Sequence, residues 1–418
     1  MSDINISLKP LFSISRLFGL LPLSFSELDD CIGEVFSLRV SDVCFLLMWI
    51  LVFLTMFGCN LHFAIYYFPN VPKKMKIAFI VYIFFFALTK IIVIVTTNFT
   101  NYGNIIKLLK KFLKIDQFID KRSRIHMYKK IRLRILKTGA IVFLTQIFLY
   151  TVGYFAEPSG GSVIVVILRV TVQNLSVSFY MILSVEYVSI VHMLKCRYEY
   201  FNGILLEYFN KNNMTTEPLS KYKNISLNIN IEYIELPALS GRDITGTTRA
   251  LQGQHKISYL RTIYLKIYDS VTLINSCFGF PILLETVSMV IMCVTALYYA
   301  FYVLDFDSDF SVNRLQTCMI SGYLISCCII YMSVFAWVNV CCHETTQEAN
   351  KGIYIIHRIS LNRDIHYKII IDLDKLLSQL INMRFQFTAC GLFALNPKFL
   401  GTIFSGILTY ILIMVQLN

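Results

Sequence analysis

Four ionisable side chains stand inside long apolar runs of this 418-residue chain: Lys90, Arg169, Glu186 and Glu285. A charge in hydrocarbon is costly, so such a residue marks a buried partner, a ligand contact or an ion path. At 1.5 Å per helical residue, Arg169 lies about 9 Å below one end of its run. Glu285 lies about 21 Å from the opposite end of its own run, which in a core of roughly 30 Å is the same depth. This predicts an Arg169–Glu285 pair at the floor of a pocket, or a purely structural bridge. Lys90 and Glu186 fall near the other ends of their runs, where they can snorkel toward water. Near the level of the predicted pair stand Tyr82, Phe86, Tyr150, Gln173, Tyr298, Tyr299 and Tyr323, with Tyr154 and Tyr302 beside them. An aromatic-walled pocket with few polar groups suits a small plant-type organic molecule. An interfacial aromatic belt is the alternative.

The last apolar run carries a second pattern. At 100° per residue, Thr409, Ile413 and Gln416 share one stripe, and Leu412 and Leu417 border it. A ring of copies would set a hydrophobic constriction beside a polar ring, and such a pore can pass cations. Hydrogen bonding between helices is the other use of Thr409 and Gln416. Cys341-Cys342-His343-Glu344 invites a metal reading. Adjacent helical cysteines point apart, however, and no second cluster has zinc spacing, so no metal is expected. No nucleophile motif, phosphate loop or catalytic carboxylate pair is present, so neither an enzyme nor a cofactor is predicted.

The elements that must position these residues are apolar helices. Hydrophobic residues make up 56% of the chain and charged residues 15%, with a net charge of +12. That composition excludes disorder and argues against a soluble enzyme. Twelve cysteines, mostly within apolar runs, do not make a disulfide scaffold. Seven runs reach the roughly 20 residues a bilayer crossing needs: 44–68, 77–99, 138–156, 163–191, 271–304, about 315–340 and 399–415. Arg16 to Phe25 is too short to span and reads as an interfacial piece rather than a signal peptide.

Lys and Arg set the orientation. The four segments on one side carry 31 of them, the other side 4. The positive-inside rule then places the N-terminus in the cytoplasm and the C-terminus outside. A G-protein-coupled receptor has the reverse orientation, and Asn396-Pro397 reads as a turn before a helix. The basic loops sit against anionic inner-leaflet lipid rather than nucleic acid. Ile105, Leu108, Leu109, Phe112, Leu113 and Ile115 recur at helical spacing, so the second and third helices should continue beyond the membrane. Asn210 to Gly253 reads as a loop. The sequons at Asn98, Asn213 and Asn224 fall on the inner side, and Asn174 falls within a span, so no glycan is expected. No internal repeat points to a transporter.

The C-terminal residues carry the most specific signal: Phe387-Thr-Ala-Cys-Gly-Leu, then Leu395-Asn-Pro, then Thr409-Tyr-Ile-Leu-Ile-Met-Val-Gln416-Leu417. This segment resembles the signature of the insect gustatory receptor family: Thr-Tyr, five hydrophobic residues, Gln, Phe. Leu417 departs from the Phe. Arg16-Leu-Phe-Gly-Leu-Leu-Pro22 resembles the family's start. The resemblance implies an all-α, seven-transmembrane, ligand-gated, non-selective cation channel, a homotetramer or a heteromer with related receptors, in the plasma membrane of gustatory neurons. It implies a pore lined by Thr409, Tyr410, Leu412, Ile413, Gln416 and Leu417. It further implies a division into an N-terminal segment (1–43), a six-helix bundle with the pocket (44–340, with long loops at 100–137 and 192–270), a segment with an anchor helix (341–398) and the pore helix (399–418). Trehalose-type sugar receptors of the family carry Glu directly after Thr-Tyr. Here that residue is Ile411, which favours bitter or plant secondary compounds, with the fructose-type branch as the alternative.

Overall fold

The structure, a computed structural model, describes residues 3–20, 40–66, 73–156, 163–210, 246–306, 314–360, 367–384 and 386–416. In chain order the helices are α1 (Asp3–Leu17), α2 (Val40–Tyr66), α3 (Lys73–Val95), α4 (Tyr102–Asp116), α5 (Lys121–Ala156), α6 (Val163–Asn210), α7 (Gly246–Phe306), α8 (Arg314–Ser360), α9 (Tyr367–Asn382) and α10 (Pro397–Gln416). A π-helical turn, Thr96–Asn101, joins α3 to α4 without a break. Strands β1 (Thr388–Ala389) and β2 (Phe393–Ala394) pair antiparallel between α9 and α10.

Six helices among the described residues are long and apolar enough to cross a membrane, and α10 adds a shorter apolar one. The chain is therefore an all-α membrane protein, as its composition predicts. At 1.5 Å per residue the 61-residue α7 is about 90 Å long, three times a bilayer core. Its lower half, with those of α6 and α8, joins α4, α9 and the hairpin in one large core, here called the hairpin end. The helical phase predicted over 105–115 is realised there: Ile105, Leu108, Leu109, Phe112 and Ile115 are buried.

The central helix is α6, buried without interruption over 176–194, whereas α5 is peripheral. Ile141, Phe143, Leu144, Ile147, Phe148 and Phe155 of α5 are all exposed. A face that apolar is tolerable in lipid and prohibitive in water.

Short-range chemistry sets the ends of several helices. Asp120 caps α5 by accepting from the backbone N–H of Arg122 at 3.0 Å. Asn396 caps α10 by accepting from the N–H of Phe399 at 2.9 Å, and Pro397 is its first helical residue, so the Asn-Pro pair is the turn its sequence predicts. α1 stops at Gly19, whose φ of +69° lets the N–H of Leu20 reach back to the carbonyl of Ser15. A Cβ at Gly19 would lie 2.7 Å from the Trp49 ring. Gly19→Ala is expected to lower the melting temperature in detergent, because it forces both an unfavourable φ and a shift of Trp49.

The structure bears on three of these expectations. Of the predicted interfacial piece, Arg16 to Phe25, the structure describes only 16–20: Arg16 and Leu17 end α1, which buries Leu8, Leu11 and Phe12 in the core of the hairpin end, Leu17 is exposed, Leu20 is buried in the cluster that holds Trp49, and Leu21 to Phe25 lie outside the described residues. α7 is already helical from Gly246, inside the predicted loop, whose other residues fall outside the described ones apart from Asn210, the last of α6. The sequon side chain Asn98 is buried, and its amide donates to the carbonyls of Gly19 and Ile94, both at 2.7 Å.

At the hairpin end Arg197 is fully buried. It donates through Nη2 to Asp116 Oδ2 at 2.8 Å and to the Tyr128 hydroxyl at 3.0 Å, and through Nη1 to the carbonyl of Met193 at 2.8 Å. Its guanidinium lies 4.1 Å from the centre of the Phe112 ring. Tyr128 also donates to Asp116. One side chain of α6 thereby ties α4 and α5 to it.

Candidate functional site

Tyr82, Phe86 and Lys90 recur every four residues on α3, so they form one stripe. The ring centres of Tyr82 and Phe86 are 5.4 Å apart. Lys90 Nζ lies 4.8 Å from the centre of Phe86, 5.4 Å from that of Phe179 and 5.9 Å from that of Tyr180. The Lys90 ammonium meets Glu285 Oε2 at 2.5 Å, with side-chain exposures of 0% and 4%. A buried pair of this kind survives only because each charge has the other, and aromatic faces add to the stabilisation of the ammonium.

This overturns two expectations. Lys90 does not snorkel; it is the partner of Glu285 in the place predicted for Arg169, whose side chain lies outside the described residues. The depth of Glu285 cannot be counted from Val271, because the helix does not start there. α7 begins 25 residues earlier, so the edge of the apolar run is not the end of the helix. Glu186 does not snorkel either. It is buried, and its Oε2 accepts from the Ser15 hydroxyl at 2.9 Å.

Above the pair, α6, α7 and α8 close an aromatic and sulfur-rich cluster. Tyr180 stacks on Tyr331 with ring centres 4.9 Å apart. Met181, Met289, Met292, Cys293, Tyr323 and Cys327 surround them, with Tyr82 and Phe86 packed alongside. Tyr323 donates to Asn174 Oδ1 at 3.2 Å. Glu285 Oε1, Ser288 Oγ, Asn174 Nδ2 and the Tyr331 hydroxyl are buried with no hydrogen-bond partner among the described residues. Such groups are costly unless something satisfies them. Chemically the site offers aromatic faces, one fixed ion pair, and donors and acceptors without partners.

Of the residues predicted for the pocket, Tyr82, Phe86, Glu285 and Tyr323 come together. Tyr298 is buried and Tyr299 half-buried further along α7. Tyr150 is exposed on the outer face of α5 beside other lipid-side residues, away from the cluster. The side chains of Gln173 and Tyr302 lie outside the described residues. Sequence reasoning missed Lys90 as a site residue, Tyr180 and Tyr331. The four-residue spacing of Tyr323, Cys327 and Tyr331 on α8 was the available signal. Cys341, Cys342, His343 and Glu344 turn to four separate partners: Arg134, Tyr187, Gln347 and Lys195.

α10 packs through Ile407 and Ile411, with Ile403 a turn before. On the opposite side Thr409, Leu412, Ile413 and Gln416 are exposed, as is Tyr410. Thr402 and Ser405, both exposed, extend that outward stripe at the same 100° spacing. The Thr409 hydroxyl bonds back to the Ser405 carbonyl at 2.9 Å, so it is not bonded to a neighbouring helix of its own chain through its proton. Leu417 lies outside the described residues.

A family model described as 7tm chemosensory receptor matches residues 8–417. Gustatory and pheromone receptor 32a of Drosophila melanogaster is 30% identical over 131 residues, 30% of this chain and 28% of that one. Gustatory receptor for sugar taste 43a of the same fly is 26% identical over 219 residues, 49% of this chain and 48% of that one. These alignments thus span about half or less of the relatives' length. The fold is similar to that of the insect olfactory receptor OR5 from Machilis hrabei in complex with eugenol, with a TM-score of 0.62 at 9% identity over 99% of both chains. It is also similar to a second structure of OR5 from Machilis hrabei, with a TM-score of 0.53 at 8% identity, over 91% of this chain and 90% of that one. With nearly its whole length matched, the chain belongs to the 7tm chemosensory receptor family, whose members are receptors rather than enzymes.

Proposed function

We propose that the chain is a ligand-gated cation channel of gustatory neurons, with its N-terminus and hairpin end in the cytoplasm of the plasma membrane. The observation that carries this reading is the division of α10 into a buried aliphatic face and an outward face bearing Thr409, Leu412, Ile413 and Gln416. Among the described residues of a single copy, that face is exposed. Four copies around an axis would turn it into a pore, with an aliphatic ring for gating by dewetting and Gln416 carbonyls toward the ions. Leu417 would border the ring, and Tyr410 would lie between neighbouring copies.

The ligand would enter among Tyr82, Phe86, Tyr180, Tyr323 and Tyr331 above the Lys90–Glu285 pair, with Gln173, Tyr298 and Tyr299 near the entrance. This setting suits a small aromatic plant compound that also carries hydrogen-bonding groups. Sugar is the second reading. It is favoured by the sugar receptor alignment, which covers the larger share of this chain, and Ile411, standing where trehalose-type receptors carry Glu, restricts that reading to the fructose-type branch.

Whole-cell current from cells expressing this chain alone, under a panel of plant phenolics and sugars, tests the reading. A compound-evoked cation current that changes on Gln416→Ala is the expected result, and the compound class decides between the two ligands. Orientation has its own test. A tag on Met1 should label only after permeabilisation, and one after Asn418 on intact cells; the reverse pattern would point to a G-protein-coupled receptor.

A further inference from the structure

Pro281 lies inside α7 and has no backbone N–H, so the carbonyl of Cys277, four residues earlier, loses its helical donor. Asn101, the last residue of the π turn, supplies one: its Nδ2 donates to the Cys277 carbonyl at 2.5 Å. Asn101 is buried. A π turn holds one residue more than an α turn and re-aims the side chains around it, and such turns recur at functional sites. This one sends Asn98 to Gly19 and Asn101 to α7.

One turn beyond the proline, Glu285 holds Lys90. The continuous α3–π–α4 helix therefore grips α7 at two points that bracket the gap in its hydrogen-bond ladder. Opposite the gap lies the hairpin. A Cβ on Gly279 would come within 3.0 Å of the Cys390 backbone nitrogen and 3.3 Å of the Thr388 oxygen, so the backbones of α7 and the hairpin touch. Asn275 clamps the same strand, donating to the Gln386 carbonyl at 2.8 Å and accepting from the Thr388 N–H at 3.3 Å. The hairpin runs directly into Asn396 and α10. The stretch 275–285 of α7 thus touches the ion pair on one side and the segment that carries α10 on the other.

We infer that Pro281 is a hinge in α7 and Asn101 its latch, and that the two are positioning residues linking the Lys90–Glu285 site to α10. This rests on the channel reading. A change at the ion pair alters the pull of α3 above the hinge. Asn101 fixes α7 below it, so the displacement appears at Gly279 and Asn275 and moves the hairpin. Asn101→Leu leaves the Cys277 carbonyl without a donor and frees the hinge. Pro281→Ala restores the N–H at residue 281, which then satisfies that carbonyl and makes the latch redundant.

Two readouts on the full-length protein test this. In purified receptor, hydrogen exchange at the amides of residues 386–395 should speed up in Asn101→Leu. It should stay at the wild-type rate in Pro281→Ala and in the double variant. In cells, the compound concentration for half-maximal current should shift by about fivefold or more in Asn101→Leu, the lower end of ordinary coupling between sites, with surface protein unchanged. The double variant should match Pro281→Ala alone. If Asn101→Leu does not fold, Pro281→Ala and Gly279→Ala carry the test, the latter by pushing directly on the hairpin. Hairpin exchange that stays at the wild-type rate in Asn101→Leu, or in Gly279→Ala where that variant stands in for it, overturns the hinge, as does faster exchange in the double variant. A response in exchange from a protein that passes no current in any condition leaves the hinge standing and overturns the channel reading.

Discussion

Glu285→Gln is expected to abolish ligand responses and sharply reduce the folded receptor. The substitution keeps the shape of the side chain but leaves the Lys90 ammonium, fully buried among Phe86, Phe179 and Tyr180, without its counter-charge. Breaking a buried pair from one side costs about 3–5 kcal/mol, a large part of the roughly 5–15 kcal/mol by which folded domains are stable. Lys90→Met should cost about the same, because it strands the carboxylate instead. Lys90→Met with Glu285→Leu should restore much of the stability, since an apolar pair of similar volume avoids both desolvation costs. Thermal melting in detergent and surface labelling measure the first effect, and evoked current measures the second. A double variant that is stable, at the surface and still silent would assign the pair to ligand recognition. One that is stable and responds normally would make the pair purely structural.

Arg197→Leu should be the most damaging single change at the hairpin end. It removes the donor to Asp116 Oδ2, to the Tyr128 hydroxyl and to the Met193 carbonyl at once, and it leaves the Asp116 carboxylate buried. The cost is again about 3–5 kcal/mol. Arg197→Lys should recover little of it, because an ammonium cannot serve three acceptors in the plane of a guanidinium or stack on Phe112 at 4.1 Å. Tyr128→Phe removes one hydroxyl from the same network and should cost only about 1 kcal/mol. The expected order in melting temperature is wild type, Tyr128→Phe, then Arg197→Lys and Arg197→Leu. Equal melting for all four would mean that the network contributes nothing to holding α4, α5 and α6 together.

What the sequence by itself determined was whatever depends on runs and phases. Apolar stretches near 20 residues specified the helices, because a chain in lipid must satisfy its own backbone and an uninterrupted apolar run can do that only as a helix. The Asn396-Pro397 start of α10 and the buried face of α4 were legible because capping and 3.6-residue periodicity are local. The outward stripe of Thr409, Ile413 and Gln416 was legible for the same reason. What only the tertiary structure decided was pairing between segments far apart in the chain. Lys90 and Glu285 are 195 residues apart, and no period connects them. Sequence depth counting chose Arg169 because an apolar run does not reveal how far its helix continues past the membrane. The bond of Asn101 to Cys277 was equally hidden. Pro281 signals a missing donor, but which of the chain's amides supplies it depends on how α3, the π turn and α7 are packed, and that packing is set by side-chain fit across helices rather than by any local pattern.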